Sequence, residues 1–510
     1  MTRIALLADP HLSDVEHTPQ EEALDWALEE LNTLAPDACV WLGDITACGS
    51  PEAAMRFRKK IDQLPCPSVT VVGNSDIRNE ATALTMEGFL SNYPKGLKLN
   101  DLRIVGMNTS HDRLSQAERE RLAQLAIGEN VVLCSHQPPK YLDAESSEFM
   151  EAWITELRRN GHRVLAWACG HIHIDREAEF AGVPVYSLCA LDLDKNRGNI
   201  HVCILNVDEG QTALEKKSLY TRGTLASWSE TEKREFSDLL GFTCYNRSKV
   251  ERDLPFAIAN RVRHLELRSV TKEDYATLDQ WRQVGGQTLS LHLSSLNFRD
   301  NAIGGEEKFR SDCADALAAG VDLITVHPPQ PPIGIMLNSN LFHELADRTA
   351  DALLPIAQAG IDILVENNHT PSGTTADPLL RGYGCTPMEM IGWRDALRER
   401  LGKDSCHLRF DIGHARNNMP VSKDYPIGKW MALIGADCRS YHLHQTEMDQ
   451  TTAKMKNHHP ITELHGGLVS FDGFLWAWKS GLLHHGPIIL EIREGEGVCA
   501  TWSRLQEMLK

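Results

Sequence analysis

The chain has 510 residues, with 70 acidic against 52 basic side chains and a formal net charge of −18. That surplus opposes general affinity for the anionic backbone of nucleic acid, though it leaves a local basic cleft or a metal-screened site open. Hydrophobic residues make up 42% and aromatic residues 6%, and no window approaches the ~18 uninterrupted apolar residues of a membrane span. A soluble globular protein without a membrane partner is expected. About one domain per 150 residues predicts two to four domains. The N-terminal Met-Thr-Arg-Ile leads straight into a strand and lacks a leader pattern. The 13 cysteines are scattered with no Cys-x-x-Cys pair, so reduced thiols in the cytoplasm are expected.

Five short apolar runs in the first 175 residues each end in a hard-metal or imidazole ligand. Arg3–Ala8 runs into Asp9 and His11, and Cys39–Leu42 into Gly43-Asp44. Ser68–Val72 runs into Gly73-Asn74-Ser75-Asp76, Asn130–Cys134 into Ser135-His136, and Arg163–Cys169 into Gly170-His171-Ile172-His173. Carboxylates and imidazoles are costly beside apolar strands unless paired or metal-bound. In α/β sheets, ligands gather past the carboxyl ends of the strands. Helical stretches at Gln20–Leu34 and Glu52–Leu64, and strands at Pro184–Leu188 and Asn199–Leu205, complete an α/β layered domain over residues 1–220. Residues 221–238 are polar, carry a Ser-x-x-Glu helix start, and read as a connector.

Residues 239–510 hold eight strand candidates: Gly241–Tyr245, Arg263–Leu267, Thr288–Leu293, Asp322–His327, Asp362–Glu366, His407–Asp411, Ser440–His444 and Pro487–Glu491. Helical stretches separate them at Asp274–Val284, Glu306–Ala319, Leu341–Gln358, Pro387–Leu401, Gly428–Ile434 and Phe471–Leu483. This is the arithmetic of a (β/α)8 TIM barrel. The expected fold class is therefore α/β, a layered sandwich followed by a barrel.

The order Asp-x-His, Gly-Asp, Gly-Asn-x-Asp, His, Gly-His-x-His resembles the calcineurin-like metallophosphoesterase family over roughly residues 1–210. The resemblance implies a dinuclear centre of Mn, Fe or Zn that holds the phosphate and activates water for in-line attack. Position by position it implies that Asp9, His11 and His173 hold one metal. Asn74, His136 and His171 would hold the other, with Asp44 bridging; Asp44, Asn74 and His136 carry the catalytic roles. Many family members place a His after the Asn, where it helps protonate the leaving group. Here Ser75 stands in that place. Either another group, such as His111 or a water, donates the proton, or the leaving group needs little help, which favours a diester over a monoester.

The barrel's strand ends read His292, His327, Glu366, Asp411 with His414, His442 or His444, and Glu491. Over about residues 240–510 this resembles the xylose-isomerase-like superfamily, which spans sugar isomerases, epimerases and the endonuclease IV type of nuclease. The resemblance implies at least one divalent metal, Mn or Zn, on Glu366, Asp411, His442 and Glu491. Glu366 and Glu491 would move a proton at carbon. His442 and His444, two apart on a strand, face the same side, so the choice between them stays open. The nuclease branch uses extra histidines for a three-zinc cluster. His292 and His327 match one extra site, and His414 and His459 could serve another or bind substrate. The family's Asp-x-His appears here as Asn457-His458-His459, so a carboxylate donor is absent.

Three functions follow. The first is a bifunctional enzyme, with phosphodiester hydrolysis in the first domain and sugar or sugar-phosphate isomerase or epimerase chemistry in the barrel. Its substrate would be a small phosphoester carrying a sugar. The second makes both domains hydrolytic, as a nuclease or two-site phosphodiesterase, with nucleic acid disfavoured by charge but open. The third makes the barrel a non-catalytic substrate-binding module.

Overall fold

The computed structural model describes residues 1–91, 96–125, 129–245, 247–299, 302–370, 379–493 and 496–510. Among these no helix is long and apolar enough to cross a membrane. The chain divides into two compact units, Met1–Thr224 with Ser470–Trp476, and Leu225–Val469 with Ala477–Lys510.

The first unit holds two sheets. One orders its strands Gln211–Leu219, His201–Asp208, Thr2–Leu7, Ala38–Trp41, Ser68–Thr70; the other orders Leu97–Leu99, Leu102–Met107, Asn130–Ser135, Arg163–Cys169, Val183–Ser187, Arg176–Phe180. Alternation along the first strand shows why they stack. Ile4, Leu6 and Ala8 point into a core shared with Ile104, Val132 and Ala166 of the second sheet. Ala5 and Leu7 point the other way, to Trp41, Trp26 and Phe57, as the period of two requires. Val105, Val131, Leu133 and Trp167 cover the far face against Met150 and Trp153. The result is a helix–sheet–sheet–helix sandwich. The two helices that cover the first sheet start as their residues dictate. Thr18 caps Pro19–Leu34 and Ser50 caps Pro51–Ile61, each followed by proline at the first helical position. The strands ending in the candidate ligands run parallel within each sheet, so all five loops emerge at carboxyl edges.

The second unit closes eight parallel strands into a barrel: Leu240–Cys244, His264–Leu267, Thr288–His292, Leu323–Val326, Asp362–Glu366, Cys406–Asp411, Cys438–Leu443 and Ile488–Leu490. The last pairs with the first, Leu240 opposite Ile488. All eight overlap the short apolar runs of the sequence. The polar stretch before the barrel carries the helix Glu230–Leu239, opened by a capping box in which Ser229 and Glu232 satisfy each other's backbone N–H groups. Small antiparallel hairpins, Asn297–Arg299 with Ala302–Gly304 and Gln445–Met448 with Met455–His459, are inserted after the third and seventh strands.

Candidate metal centres

In the sandwich, five of the seven expected ligands adopt left-handed backbone: Asp9 (φ 53°), His11 (45°), Asp44 (47°), His171 (73°) and His173 (58°). Such conformations cost of order 1–3 kcal/mol each and persist only where the surroundings over-determine them. The surroundings here are hydrogen bonds between loops. Asp9 N–H donates to Gly43 O at 3.1 Å and His11 N–H to Asp44 O at 3.0 Å, while His171 N–H donates to Asp9 Oδ2 at 3.0 Å. Glycine lets the loops approach. A Cβ on Gly73 would lie 2.2 Å from Asp44 Oδ1, and one on Gly170 would lie 2.5 Å from Asp9 Oδ2.

The side chains converge. Asp9, His11, Asp44 and His173 present donor atoms within 4.8 Å of one another. Asn74 Oδ1 lies 3.1 Å from His136 Nε2 and 3.0 Å from His171 Nδ1. Asp44 stands between the two sets, 3.7 Å from His11 Nε2 and 3.3 Å from His136 Nε2. His136 Nδ1 is held by Leu42 O at 2.9 Å, which turns Nε2 toward Asn74 and Asp44. Burial pushes the Asp9 carboxyl up to about 8. Burial, with Lys195 nearby, takes His173 down to about 3. Two buried carboxylates and an amide oxygen converge with four imidazoles, a mixture of oxygen and nitrogen donors that fits divalent metal.

Ser75 is fully buried and does not face the opening. Its N–H and hydroxyl donate to Asp44 Oδ1 and Oδ2 at 2.7 and 2.8 Å, and it accepts from Arg78 Nη2 at 2.9 Å. His111, the alternative proton donor, is exposed and 3.5 Å from Glu87. Asp76 was visible in the same motif but had no assigned role. Fully buried, it accepts from the N–H groups of Ile45, Thr46 and Gly73 at 3.2, 2.7 and 2.9 Å. It thereby ties the Asp44 and Asn74 loops together.

In the barrel, Glu366, Asp411, His442 and Glu491 are all buried and form one donor group. His442 Nδ1 lies 3.2 Å from Glu366 Oε2 and 3.4 Å from Glu491 Oε2. Both Glu366 oxygens, His442 Nδ1 and Glu491 Oε2 face one another without a well-aligned hydrogen bond, the state expected of groups waiting for a cation. His292, His327 and Glu366 form a second group, sharing Glu366. His414, His444 and His458 form a third, joined to the first where His444 Nε2 lies 3.1 Å from Asp411 Oδ1. His442 thus belongs to the carboxylate group and His444 to the imidazole group. His459 is not with His414; its Nδ1 lies 3.3 Å from Glu447. The neighbouring His458, at φ 66°, takes the inward place, because the hairpin strand Met455–His459 ends in that left-handed turn. Close approach again needs glycine: a Cβ on Gly413 would sit 1.8 Å from His444 Cε1.

Two supporting residues escaped the sequence reading. Glu266 Oε1 lies 2.9 Å from His442 Nε2 and so points Nδ1 into the centre. Its other oxygen pairs with Arg409, fully buried, which also donates to Thr325 Oγ1 at 2.6 Å and Ser440 Oγ at 3.0 Å. Burial alone would push the His442 imidazole down; Glu366 and Glu266 outweigh it and hold it up at about 10. The signal was present: each is a charged residue inside a buried strand. Glu266→Gln is expected to weaken barrel metal retention about 10–100-fold, measured by chelator competition. It should also destabilise the metal-free protein by about 3–5 kcal/mol, because Arg409 is left buried without its partner. Unchanged metal retention would make Glu266 a packing residue only.

The two-sheet sandwich with carboxylate, amide and imidazole donors at its carboxyl edges is that of a metallophosphoesterase. Residues 2–175 match the model of the calcineurin-like phosphoesterase family, and this part of the chain is a calcineurin-like phosphoesterase domain. It is 30% identical over 184 residues to a cAMP/cGMP dual specificity phosphodiesterase of Mycobacterium tuberculosis, covering 32% of this chain and 58% of that protein. It is 28% identical over 155 residues to a protein of Arcobacter nitrofigilis named "Probable glycerophosphodiester phosphodiesterase", covering 27% of this chain and 57% of that one. The chain therefore spans under three fifths of each of these relatives. A xylose isomerase-like TIM barrel protein of Mycobacterium smegmatis, solved with magnesium, is 13% identical, covering 51% of this chain and 87% of that one, with a TM-score of 0.33.

Proposed function

We propose that the chain is a two-centre metalloenzyme whose sandwich hydrolyses a small phosphodiester. The carrying observation is the strained, converging set of Asp9, His11, Asp44, Asn74, His136, His171 and His173. Asp9, His11 and His173 would hold one metal, Asn74, His136 and His171 the second, and Asp44 would lie between them. Mn, Fe or Zn suits this mixture of donors. Bound metals supply Lewis acidity and make water nucleophilic near neutral pH. The chain's own part is to fix the donors: Leu42 O orients His136, Ser75 holds both Asp44 oxygens, and Asp76 locks the loops. With Ser75 engaged on Asp44, the chain offers no acid at the position after Asn74. That favours a substrate whose leaving group departs with little help, which we read as a diester, in agreement with the activities named for both relatives.

For the barrel, the donor geometry favours the hydrolytic reading over the isomerase reading. Proton transfer at carbon needs a carboxylate oxygen free to act as base. Glu491 Oε1 is taken by the guanidinium groups of Arg268 and Arg493, and the oxygens without a well-aligned hydrogen bond, Glu491 Oε2 and both of Glu366, face the donor groups that metal would occupy. Three adjoining donor groups suit a polynuclear phosphoesterase better than a single-metal isomerase. All 13 cysteines are free thiols, which fits a reducing compartment.

The test is a panel of phosphodiesters and phosphomonoesters run with Mn, Zn or Fe, products identified by mass and sugar stereochemistry. Diester turnover exceeding monoester turnover by about tenfold or more is expected. A monoester preference, or a sugar epimer as the barrel's product, would reverse the respective reading.

A further inference from the structure

Beside the sandwich centre lies a cavity of about 120 Å³ that the donor set does not use. Its walls include Pro139, Tyr141, Ile172, Ala178 and Phe180. Tyr141 ties it to the centre: its ring stands edge-on to the ligand His171, centroids 5.5 Å apart, yet it is 45% exposed. Ile172, on the cavity wall, lies between the ligands His171 and His173. We propose that this cavity is a specificity subsite for an aromatic ring carried by the second ester arm of the diester, the arm that is not displaced. The proposal rests on the hydrolytic reading of the sandwich.

Size, surface and position each bear on the ligand. Liquid water occupies about 30 Å³ per molecule, and apolar cavities of about 150 Å³ admit one benzene ring. The cavity thus matches one small ring. Tyr141 and Phe180 supply aromatic surface, and such pairs add about 0.5–1.5 kcal/mol beyond burial when edge-on or offset. Arg176, Glu179 and Ser187 also line the cavity and can meet ring heteroatoms, so a heteroaromatic ring is accommodated better than a plain hydrocarbon. Position selects the arm. The displaced arm must take a proton and depart, so holding it in an apolar cavity would slow release. The retained arm can stay bound in both ground and transition state, which lowers KM.

The experiment compares two substrates with the same leaving group, bis(p-nitrophenyl) phosphate and methyl p-nitrophenyl phosphate. The native chain should favour the first by about tenfold or more in kcat/KM, mainly through KM. Ala178→Trp, on an exposed edge strand, fills the cavity and should lower that ratio by bringing the two KM values together. Tyr141→Ala, which opens the cavity, should also lower it. Binding is read separately by calorimetry with cytidine, a riboside of a single heteroaromatic ring that carries no phosphate. It should bind the native full chain saturably and not bind the Ala178→Trp variant. A ratio unmoved by both variants, or riboside binding unchanged by Ala178→Trp, overturns the subsite. Absence of turnover on both diesters would instead defeat the hydrolytic reading, and riboside binding would still decide whether the cavity takes a ring.

Discussion

Asp44→Asn is expected to lower hydrolysis of bis(p-nitrophenyl) phosphate at least about 10³-fold. Asp44 faces both halves of the sandwich centre, 3.7 Å from His11 Nε2 and 3.3 Å from His136 Nε2. An amide removes the negative charge that would hold two cations close. Metal-ion activation is worth several kcal/mol, and each ~1.4 kcal/mol is tenfold in rate. The amide also offers one acceptor where Ser75 donates to two oxygens, so the side chain loses its anchor as well. Metal analysis should show the loss confined to the sandwich, with the barrel's content unchanged. A variant that hydrolyses the diester at the native rate would remove the dinuclear reading altogether.

Glu366→Gln should remove two metals from the barrel, because Glu366 belongs both to the set with His292 and His327 and to the set with Asp411, His442 and Glu491. His458→Ala should remove one at most, since His458 serves only the imidazole group. Elemental analysis after gel filtration reads both, and diester hydrolysis by the sandwich should persist in each. Loss of a single metal from Glu366→Gln would show that the two groups do not share a donor. A barrel that takes up no metal in the native chain would leave it as a binding module.

Much of this was legible because strand ends announce themselves. An apolar run that stops at Asp, His or Asn is uncommon unless those groups are paired, and seven such residues lie near one another in the sandwich. All eight barrel strands were visible for the same reason, since buried parallel strands are short continuous apolar runs. What stayed hidden lacks such contrast. The edge strands Arg176–Phe180 and Gln211–Leu219 are largely exposed and polar, so they read as loop. The helix Arg247–Ala259 carries an internal proline, which argues against helix in a local reading. His458 and His459 are neighbours, and only the left-handed turn at His458 decides which one points inward. Such a turn is set by the hairpin and leaves no mark in the hydrophobic pattern. Glu266 and Arg409 were passed over because they lie in different strands far apart in sequence, whereas each neutralises the other across the barrel interior.

The left-handed backbone at Asp9, His11, Asp44, His171 and His173 restricts the chemical alphabet of the sandwich. Among residues with a side chain, Asn, Asp and His tolerate that conformation best, and these three are the only donor types the centre contains. The barrel's carboxylates Glu366 and Glu491 stand at the ends of extended strands, where the longer acid meets no such penalty. Exchanging Asp for Glu would keep the charge at every position yet be tolerated differently in the two halves of one chain. The ligand vocabulary of each centre was thus chosen by its backbone before any metal exercised a preference.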